Sequence, residues 1–377
     1  MRRALIHRIA TAAPDDVSGL ETAIAAGRID PAGIVAILGK TEGNGCVNDF
    51  TRAFAVLALT GCLAKHLSGE AVAGIAMVMS GGTEGALSPH ILVFERGEVG
   101  DGADDENGID GDAGPALAVG VAHTGDLAPE HLGRMGQVWL VAEGVAKAMH
   151  RAGIEDPADV HFVQIKCPLL TAERIAAAVA RGETTATRDT LKSMGLSRGA
   201  SALGVALALG EIEAHAMSDA VIGSDFSLWS GRASASAGVE LHNHEIVVLG
   251  MSQAWSGPLA VDHAVMADGI DVEPVRAALT RLGFSAHGQL TPDERSRLVA
   301  LLAKAEPGST GRLRGARHTM LDDSDIAATR HARAFTGGAL AGLTGLTDLF
   351  VSGGAEHQGP DGGGPVAVIA HRAQGER

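Results

Sequence analysis

The sequence predicts an α/β protein made of three structurally similar α/β repeats around a pseudo-threefold axis with one central active site. Three observations predict it. A serine stands four residues before a glutamate in Ser80-Gly81-Gly82-Thr83-Glu84, Ser236-Ala237-Gly238-Val239-Glu240 and Ser352-Gly353-Gly354-Ala355-Glu356, with small residues directly after each serine. Each motif is followed by a β-like apolar run, at His90–Phe94, Glu245–Leu249 and Val366–Ala370. Lysine, arginine and serine also recur in that order three times: Lys40, Arg52, Ser80; Lys166, Arg198, Ser236; Lys304, Arg333, Ser352. A period of roughly 120 residues is far longer than a solenoid repeat, so three copies imply a closed assembly, not an open array.

Taken in order, Ala4–Ala10 reads as a strand, Val17–Ala26 as a helix, and Gly33–Leu38 as a second strand ending at Gly39-Lys40. The second unit repeats this with a strand over Ala116–Ala122, a helix over Val138–Ala152 and a strand over Val160–Ile165 that runs into Lys166. The third has a strand over Leu259–Val265, a helix over Val275–Leu282 and an apolar run Leu298–Ala303 before Lys304. After each lysine, an arginine is expected to open an alanine-rich helix; Arg52-Ala53-Phe54 and Arg333-Ala334-Phe335 are close copies. The acidic, glycine-rich stretch Gly97–Gly114 and the segment Ser252–Gly257 read as connections. The units are therefore placed at 1–104, 112–250 and 256–377.

Composition narrows the function. With 377 residues and 46% hydrophobic content, the chain has ample material for a large core. A formal net charge of −15 argues against nucleic acid, since phosphate binding needs a concentrated positive surface. Tyrosine is absent and aromatics make up 3%, so base-stacking platforms are not expected. The apolar stretch at the N-terminus is too short for a signal peptide or membrane span. Cys46, Cys62 and Cys167 show no CxxC spacing, which points to a reducing, cytoplasmic setting.

One serine beside two glycines is usually just a turn, and one lysine or arginine is usually a solvated charge. Three phase-matched sets are not explained that way. Glycine after serine lets a ligand approach the backbone N–H groups together with the hydroxyl, as an oxyanion-binding corner requires. The sixteen histidines show no metal-ligand spacing, so His242, His244 and His357 read as satisfied or exposed side chains. Cys167, between Lys166 and Pro168, reads as packing. The bend Gln358–Pro365 is either an ordinary tight loop or a set of carbonyls suited to a hard cation.

The segments Lys40–Gly45 (KTEGNG), Met79–His90 (MSGGTEGALSPH), Met320–Asp325 (MLDDSD) and Ser352–Pro365 (SGGAEHQGPDGGGP) resemble the cyanuric acid amidohydrolase and barbiturase family, over essentially the whole chain. The resemblance implies three similar units around one active site, a homotetramer, and hydrolytic opening of cyclic amide rings without a catalytic cofactor. It implies Ser236 as nucleophile and Lys166 as its general base. It also implies Ser80 with Gly81, Ser236 with Ala237, and Ser352 with Gly353 as holders of ring carbonyls, and Arg52, Arg198 and Arg333 as substrate-binding arginines. Lys40 and Lys304 complete the set. Glu306 and the carbonyls of Ala355, Gln358, Gly359, Pro360 and Gly363 resemble a structural site for magnesium or calcium. Ala237, where the other two motifs have glycine, fits a copy specialised for attack.

Ring opening needs a nucleophile, a proton acceptor and a receptor for the oxyanion. Neighbouring cations and burial depress an ammonium pKa, which would leave Lys166 neutral and able to deprotonate Ser236. Cyanuric acid presents three identical carbonyl and N–H pairs to three equivalent sets of groups. Barbituric acid needs one set less, so retention of all three arginines and both Ser-Gly-Gly corners favours cyanuric acid, opened to carboxybiuret and then biuret and carbon dioxide. Barbiturase activity and a non-catalytic receptor for a planar imide are the alternatives.

Overall fold

The computed structural model describes residues 1–98 and 114–373. The first unit runs β1 (Arg2–Ala10), α1 (Ser18–Ala25), β2 (Ile34–Thr41), α2 (Thr51–Leu63), α3 (Gly69–Ala73), β3 (Ala76–Gly81) and β4 (His90–Glu98). The second runs β5 (Ala116–His123), α4 (Met135–Ala152), β6 (Val160–Pro168), α5 (Ala172–Ala180), α6 (Thr190–Ala208), β7 (Ala233–Gly238) and β8 (Glu245–Ser252). A short strand β9 (Trp255–Ser256) leads to β10 (Leu259–Met266), α7 (Glu273–Arg281), α8 (Pro292–Arg297) and β11 (Leu298–Ala305). The small hairpin β12 (Arg312–Leu313) and β13 (Ala316–Arg317) follows, then α9 (Ala328–Thr344), β14 (Phe350–Gly353) and β15 (Gly364–His371).

Each unit builds the same sheet. The strand orders are β3-β2-β4-β1, β7-β6-β8-β5 and β14-β11-β15-β10, with β9 added to the outer edge of the first. In every case the second and third strands pair in parallel, and the fourth runs antiparallel to both the first and the second. Even the register irregularity repeats, between Ile34 and Ala36, Val160 and Phe162, and Leu298 and Ala300, six positions before each lysine. The parallel pairing sets Lys40 opposite Ser80, Lys166 opposite Ser236 and Lys304 opposite Ser352. A lysine and a serine far apart in sequence are thus fixed side by side by backbone hydrogen bonds.

Strand alternation decides where they point. Side chains two apart share a face. Ala36, Leu38, Ala76 and Val78 of the first sheet, and Ala300, Leu302 and Phe350 of the third, join one core that also takes in the second unit. The intervening Ile37, Met77 and Met79 pack instead against Leu20, Leu59 and Leu63 of α1 and α2, and Leu301, Ala303 and Val351 pack under α7 and α9. Lys40, Ser80, Lys304 and Ser352 continue the even, inward series. They lie at its end, where the apolar core gives way to polar groups.

The expected strands and helices are present, most a residue or two longer than the sequence patterns. The second and third arginines do not open their helices. Arg52 is in the first turn of α2, but Arg198 lies in the middle of α6 and Arg333 well inside α9. The Asp189 side chain accepts a hydrogen bond from Lys192 N and so starts α6 earlier than the alanine-rich pattern suggests. Of the acidic connection, Gly97 and Glu98 belong to β4, and residues 99–113 lie outside the described residues. The second connection is more than a linker. Trp255 and Ser256 pair with Arg2 and Arg3 of β1, and the buried Trp255 indole donates to Ala152 O at 2.6 Å.

Candidate active site

The nine side chains singled out in the sequence meet in one place. The Oγ atoms of Ser236 and Ser352 are 2.9 Å apart, and Ser80 Oγ donates to Ser352 Oγ at 3.2 Å. Arg52, Ser80, Gly81, Arg198, Ser236, Ala237, Arg333, Ser352 and Gly353 line a small cavity of about 20 Å³, with Gly45 and Met194. It opens into a vestibule of about 560 Å³ that shares Gly45, Met194, Arg198, Arg333 and Gly353 and is rimmed by Leu191 and Phe226. Lys40, Lys166 and Lys304 lie beneath the cavity and are 1% exposed.

The lysines hold the serine strands, and two of them reach across to a neighbouring unit. Lys40 Nζ donates to Ser80 Oγ at 3.1 Å and to Gly81 O at 3.3 Å. Lys304 Nζ does the same in its own unit, to Ser352 Oγ at 3.2 Å and Gly353 O at 3.1 Å, and reaches Ala235 O of the second unit at 2.9 Å. Lys166 Nζ reaches the equivalent carbonyl of the first unit, Met79 O, at 2.7 Å. It makes neither of the bonds to its own unit's serine strand that its sisters make. Instead of a hydrogen bond to its register partner Ser236, it makes an ion pair with Glu240 Oε1 at 2.6 Å. The expected amine-to-hydroxyl hydrogen bond is therefore not made, although register sets the two residues side by side.

Burial is the main cause that pushes all three ammonium groups below the ordinary lysine range. Arg198 adds to it at Lys304, bringing that group to about 7. Arg333 and Lys304 add to it at Lys40. At Lys166, Glu240 opposes burial and Arg52 reinforces it.

The arginines explain the glutamate of each motif, whose partner the sequence did not reveal. Arg333 grips Glu84 through Nε at 2.8 Å and a terminal nitrogen at 2.6 Å, and Arg198 grips Glu356 with the same two distances. Arg52 lies 3.9 Å from Glu240 and gives its hydrogen bonds to Ala237 O at 2.9 Å and Cys46 O at 2.8 Å. Each arginine thus meets the glutamate of a neighbouring unit, which a chain pattern read unit by unit cannot disclose. Such two-point contacts also fix the guanidinium planes. Burial works to raise Glu356, but Arg198 overrides it and holds the carboxyl at about 2.

The second glycine of two motifs makes this crossing possible. Gly82 has φ +106° and a Cβ there would lie 2.3 Å from Arg333 Nε; Gly354 has φ +78° and a Cβ would lie 2.4 Å from Arg198 Cζ. Any side chain would meet both a disfavoured backbone conformation and a guanidinium. The loop also contributes Asp49, which carries no sequence signal; buried at 4% exposure, it accepts from Gly45 N at 2.8 Å and shapes the wall.

Glu306 lies near Glu356. It accepts from Gly354 N at 2.8 Å and from Thr329 Oγ1 at 3.3 Å, and burial followed by the Glu356 charge pushes it up to about 7. The loop after it turns through His357 at φ 59°, Gly359 at +91° and Gly362 at +82°. Ala355 O accepts from Gln358 N, and Pro360 O from Gly363 N, each at 2.9 Å. His357 is satisfied, with Gly223 N donating to Nε2 at 2.8 Å and Leu228 O at 2.6 Å from Nδ1. His244 is likewise bonded, to Gln137 at 2.9 Å and Thr124 at 3.1 Å. Cys167 is fully buried, its Sγ 3.6 Å from Ser236 O, as packing requires. One cluster went unforeseen, because its members come from different units. His161 and His263 face each other at 3.0 Å beside Asp262, whose other oxygen takes Arg281 Nε at 2.5 Å.

No helix among the described residues is long and apolar enough to cross a membrane. Residues 5–371 match the family described as amidohydrolase ring-opening protein. The chain is similar to a cyanuric acid amidohydrolase of Azorhizobium caulinodans, at 65% identity over 99% of each chain, and to one of Bradyrhizobium sp. strain ORS 375, at 64% over 99% of each. It also resembles the crystal structure of a cyanuric acid hydrolase from A. caulinodans, with a TM-score of 0.90 and 64% identity over 99% of this chain and 100% of the other. A second solved cyanuric acid hydrolase, described as an evolutionary innovation by structural concatenation, gives a TM-score of 0.92 at 49% identity over 98% of this chain.

Proposed function

The chain belongs to the ring-opening amidohydrolase family, and from that premise we propose that it hydrolyses cyanuric acid to carboxybiuret, which loses carbon dioxide to give biuret. The observation that carries this reading is the convergence of three serine hydroxyls on one small cavity, with three arginines around it. A flat ring with three equivalent carbonyls meets like chemistry on each side. The matching strand orders support a pseudo-threefold relation between units at 1–104, 112–250 and 256–377, although the first boundary lies outside the described residues.

In this reading Ser236 attacks one ring carbonyl. Its Oγ–H proton goes to Lys166, the C–N bond of the ring breaks, and the leaving nitrogen takes a proton back from the lysine. The leaving group stays tethered, so the acyl-enzyme contains the whole substrate, and water then hydrolyses the ester to release the opened product. Burial lowers the Lys166 ammonium below the ordinary lysine range, against the pull of Glu240, and so favours the free amine that accepts the proton. Nζ would leave Met79 O and turn to the serine beside it; catalytic hydrogen bonds commonly tighten only when substrate is bound. Ser80 and Ser352, with the backbone at Gly81 and Gly353, would hold the other two carbonyls, and the arginines would orient the ring.

Steady-state turnover on cyanuric and barbituric acids tests the assignment. Cyanuric acid is expected to give a kcat/KM at least about 100-fold higher, because barbituric acid leaves one polar set without its partner. A preference for barbituric acid would overturn it.

A structural magnesium or calcium ion is proposed at Glu306 with the carbonyls of Ala355, Gln358, Gly359, Pro360 and Gly363. The donor set fits: it is all oxygen, and the two carboxylates Glu306 and Glu356 lie close enough for one to raise the other. The ion would supply charge neutralisation and rigidity to the loop that carries Glu356; no step of the reaction passes through it. Chelator treatment is expected to lower Tm by several degrees, recoverable with calcium or magnesium, and Glu306→Gln should abolish that difference. No Tm response in the parent chain would remove the ion from the account.

A cytoplasmic location and a homotetrameric state complete the proposal. Three free cysteines suit a reducing compartment. Phe50, Phe54 and Leu57 along α2 are exposed at 77%, 42% and 68%, an apolar stripe of the kind subunit contact would cover.

A further inference from the structure

Three units supply three serines, three lysines and three glutamates, yet only one serine is assigned the attack. The structure contains one break in the pattern that could choose it. Glu84 and Glu356 are each gripped at two points by an arginine, at 2.8 and 2.6 Å, and Glu84 also takes Arg330 at 3.1 Å. Glu240 is not. Its nearest arginine nitrogen is 3.9 Å away, and its Oε1 turns to Lys166 Nζ at 2.6 Å. That contact is an ion pair off the line of a hydrogen bond, and both Glu240 carboxylate oxygens are buried without a hydrogen-bond donor. Lys40 and Lys304 have no carboxylate at ion-pair distance among the described residues; they donate to their own serines.

We propose that Glu240 is the positioning residue that singles out the second unit for catalysis, forming a Ser236–Lys166–Glu240 triad in place of a simple dyad. This rests on the reading of Ser236 and Lys166 given above. When Ser236 Oγ–H gives its proton to the free-amine form of Lys166 Nζ, a hydroxyl and an amine become an alkoxide and an ammonium. The ammonium forms in a dry site, and a carboxylate 2.6 Å away stabilises it where the two sister lysines have none. Glu240 also draws Nζ away from the docked geometry of its sisters, leaving the Ser236 hydroxyl, among the described residues, bonded only to Ser352 Oγ.

The groups that face this pair act in both directions. Arg52 from α2 and Arg174 from α5 bear on Glu240, and Cys167 follows Lys166 on β6. Glu245 on β8 accepts from Met77 N at 2.9 Å and is pushed up to about 7 by burial, so near neutrality it carries less negative charge than Glu240, whose carboxyl is held below the ordinary range by Lys166 and Arg52. Glu240 is left as the charge that raises Lys166 against burial.

The test is Glu240→Gln, with Glu84→Gln and Glu356→Gln as comparisons, measured as kcat and kcat/KM across pH. Glu240→Gln removes the charge that raises Lys166. The ascending limb of kcat/KM should move to lower pH by about one unit or more, and plateau kcat should fall at least about ten-fold with KM within about three-fold. The other two should raise KM, through their arginines, and leave the limb in place. Glu240→Asp should recover part of the plateau and shift the limb less. An unmoved limb in Glu240→Gln, or equal effects from all three glutamine variants, would overturn the proposal. If Glu240→Gln does not fold, Glu240→Asp carries the test alone: a wild-type plateau and limb would overturn it. Ser236→Ala is run alongside, because persistent turnover there would mean the nucleophile is misassigned, a failure separate from that of Glu240.

Discussion

Ser236→Ala is expected to lower kcat on cyanuric acid by at least about 10³-fold while changing the affinity for the ring by less than about three-fold. The hydroxyl contributes the attacking atom, which nothing else replaces. Binding depends on groups that stay: three arginines, Ser80 and Ser352 remain around the cavity. Steady-state kinetics and calorimetric titration with a non-hydrolysed ring separate the two quantities. A receptor would have no turnover to lose in the first place. Equal loss of affinity and turnover would instead mean that Ser236 only holds substrate, and that attack comes from elsewhere.

The second large effect is expected from Arg198→Ala. Arg198 serves the cavity and also holds Glu356 by two hydrogen bonds, next to Glu306, whose carboxyl the Glu356 charge helps to raise. Its removal should raise KM by about 100-fold or more. It should also cost about 1–3 kcal/mol of stability at neutral pH, the range for losing charged hydrogen bonds in a part-buried pair. The pH dependence has a defined sign. In the parent chain Glu356 is depressed to about 2, so its contribution is present above the unfolded carboxyl pKa and is lost as pH falls toward 2. Without Arg198, burial and Glu306 would raise Glu356 above its unfolded value, and stability would then be lost as pH rises. The two chains should differ most near neutrality and converge in acid, which urea unfolding at pH 4 and pH 7.5 would show.

Much of this site was legible in the sequence because a repeat multiplies weak signals. Gly81 and Gly353 are unremarkable alone, but Lys, Arg and Ser recurring in one order picked out nine side chains that do converge. The strands were legible for the usual reason, apolar runs with short punctuation. What stayed hidden lies between units. The Ser-to-Glu spacing was visible, but nothing in the chain says that Glu84 belongs to Arg333 or Glu356 to Arg198, because those contacts depend on how the sheets are placed. The same holds for the pairing of β9 with β1 and for the His161–His263 contact. The departure at Lys166 was the least foreseeable. Its partner Glu240 is in the same motif as the sister glutamates, and only three-dimensional placement leaves that carboxylate outside an arginine's grip.

The most direct measurement is capture of the covalent intermediate. Ring opening expels no fragment, so a stalled acyl-enzyme should weigh one full substrate more than the free chain. Rapid acid quench during turnover, followed by peptide mass spectrometry, is predicted to find that increment on the peptide containing Ser236. Finding it on the peptide of Ser80 or Ser352, or finding none under conditions where turnover proceeds, would contradict the account.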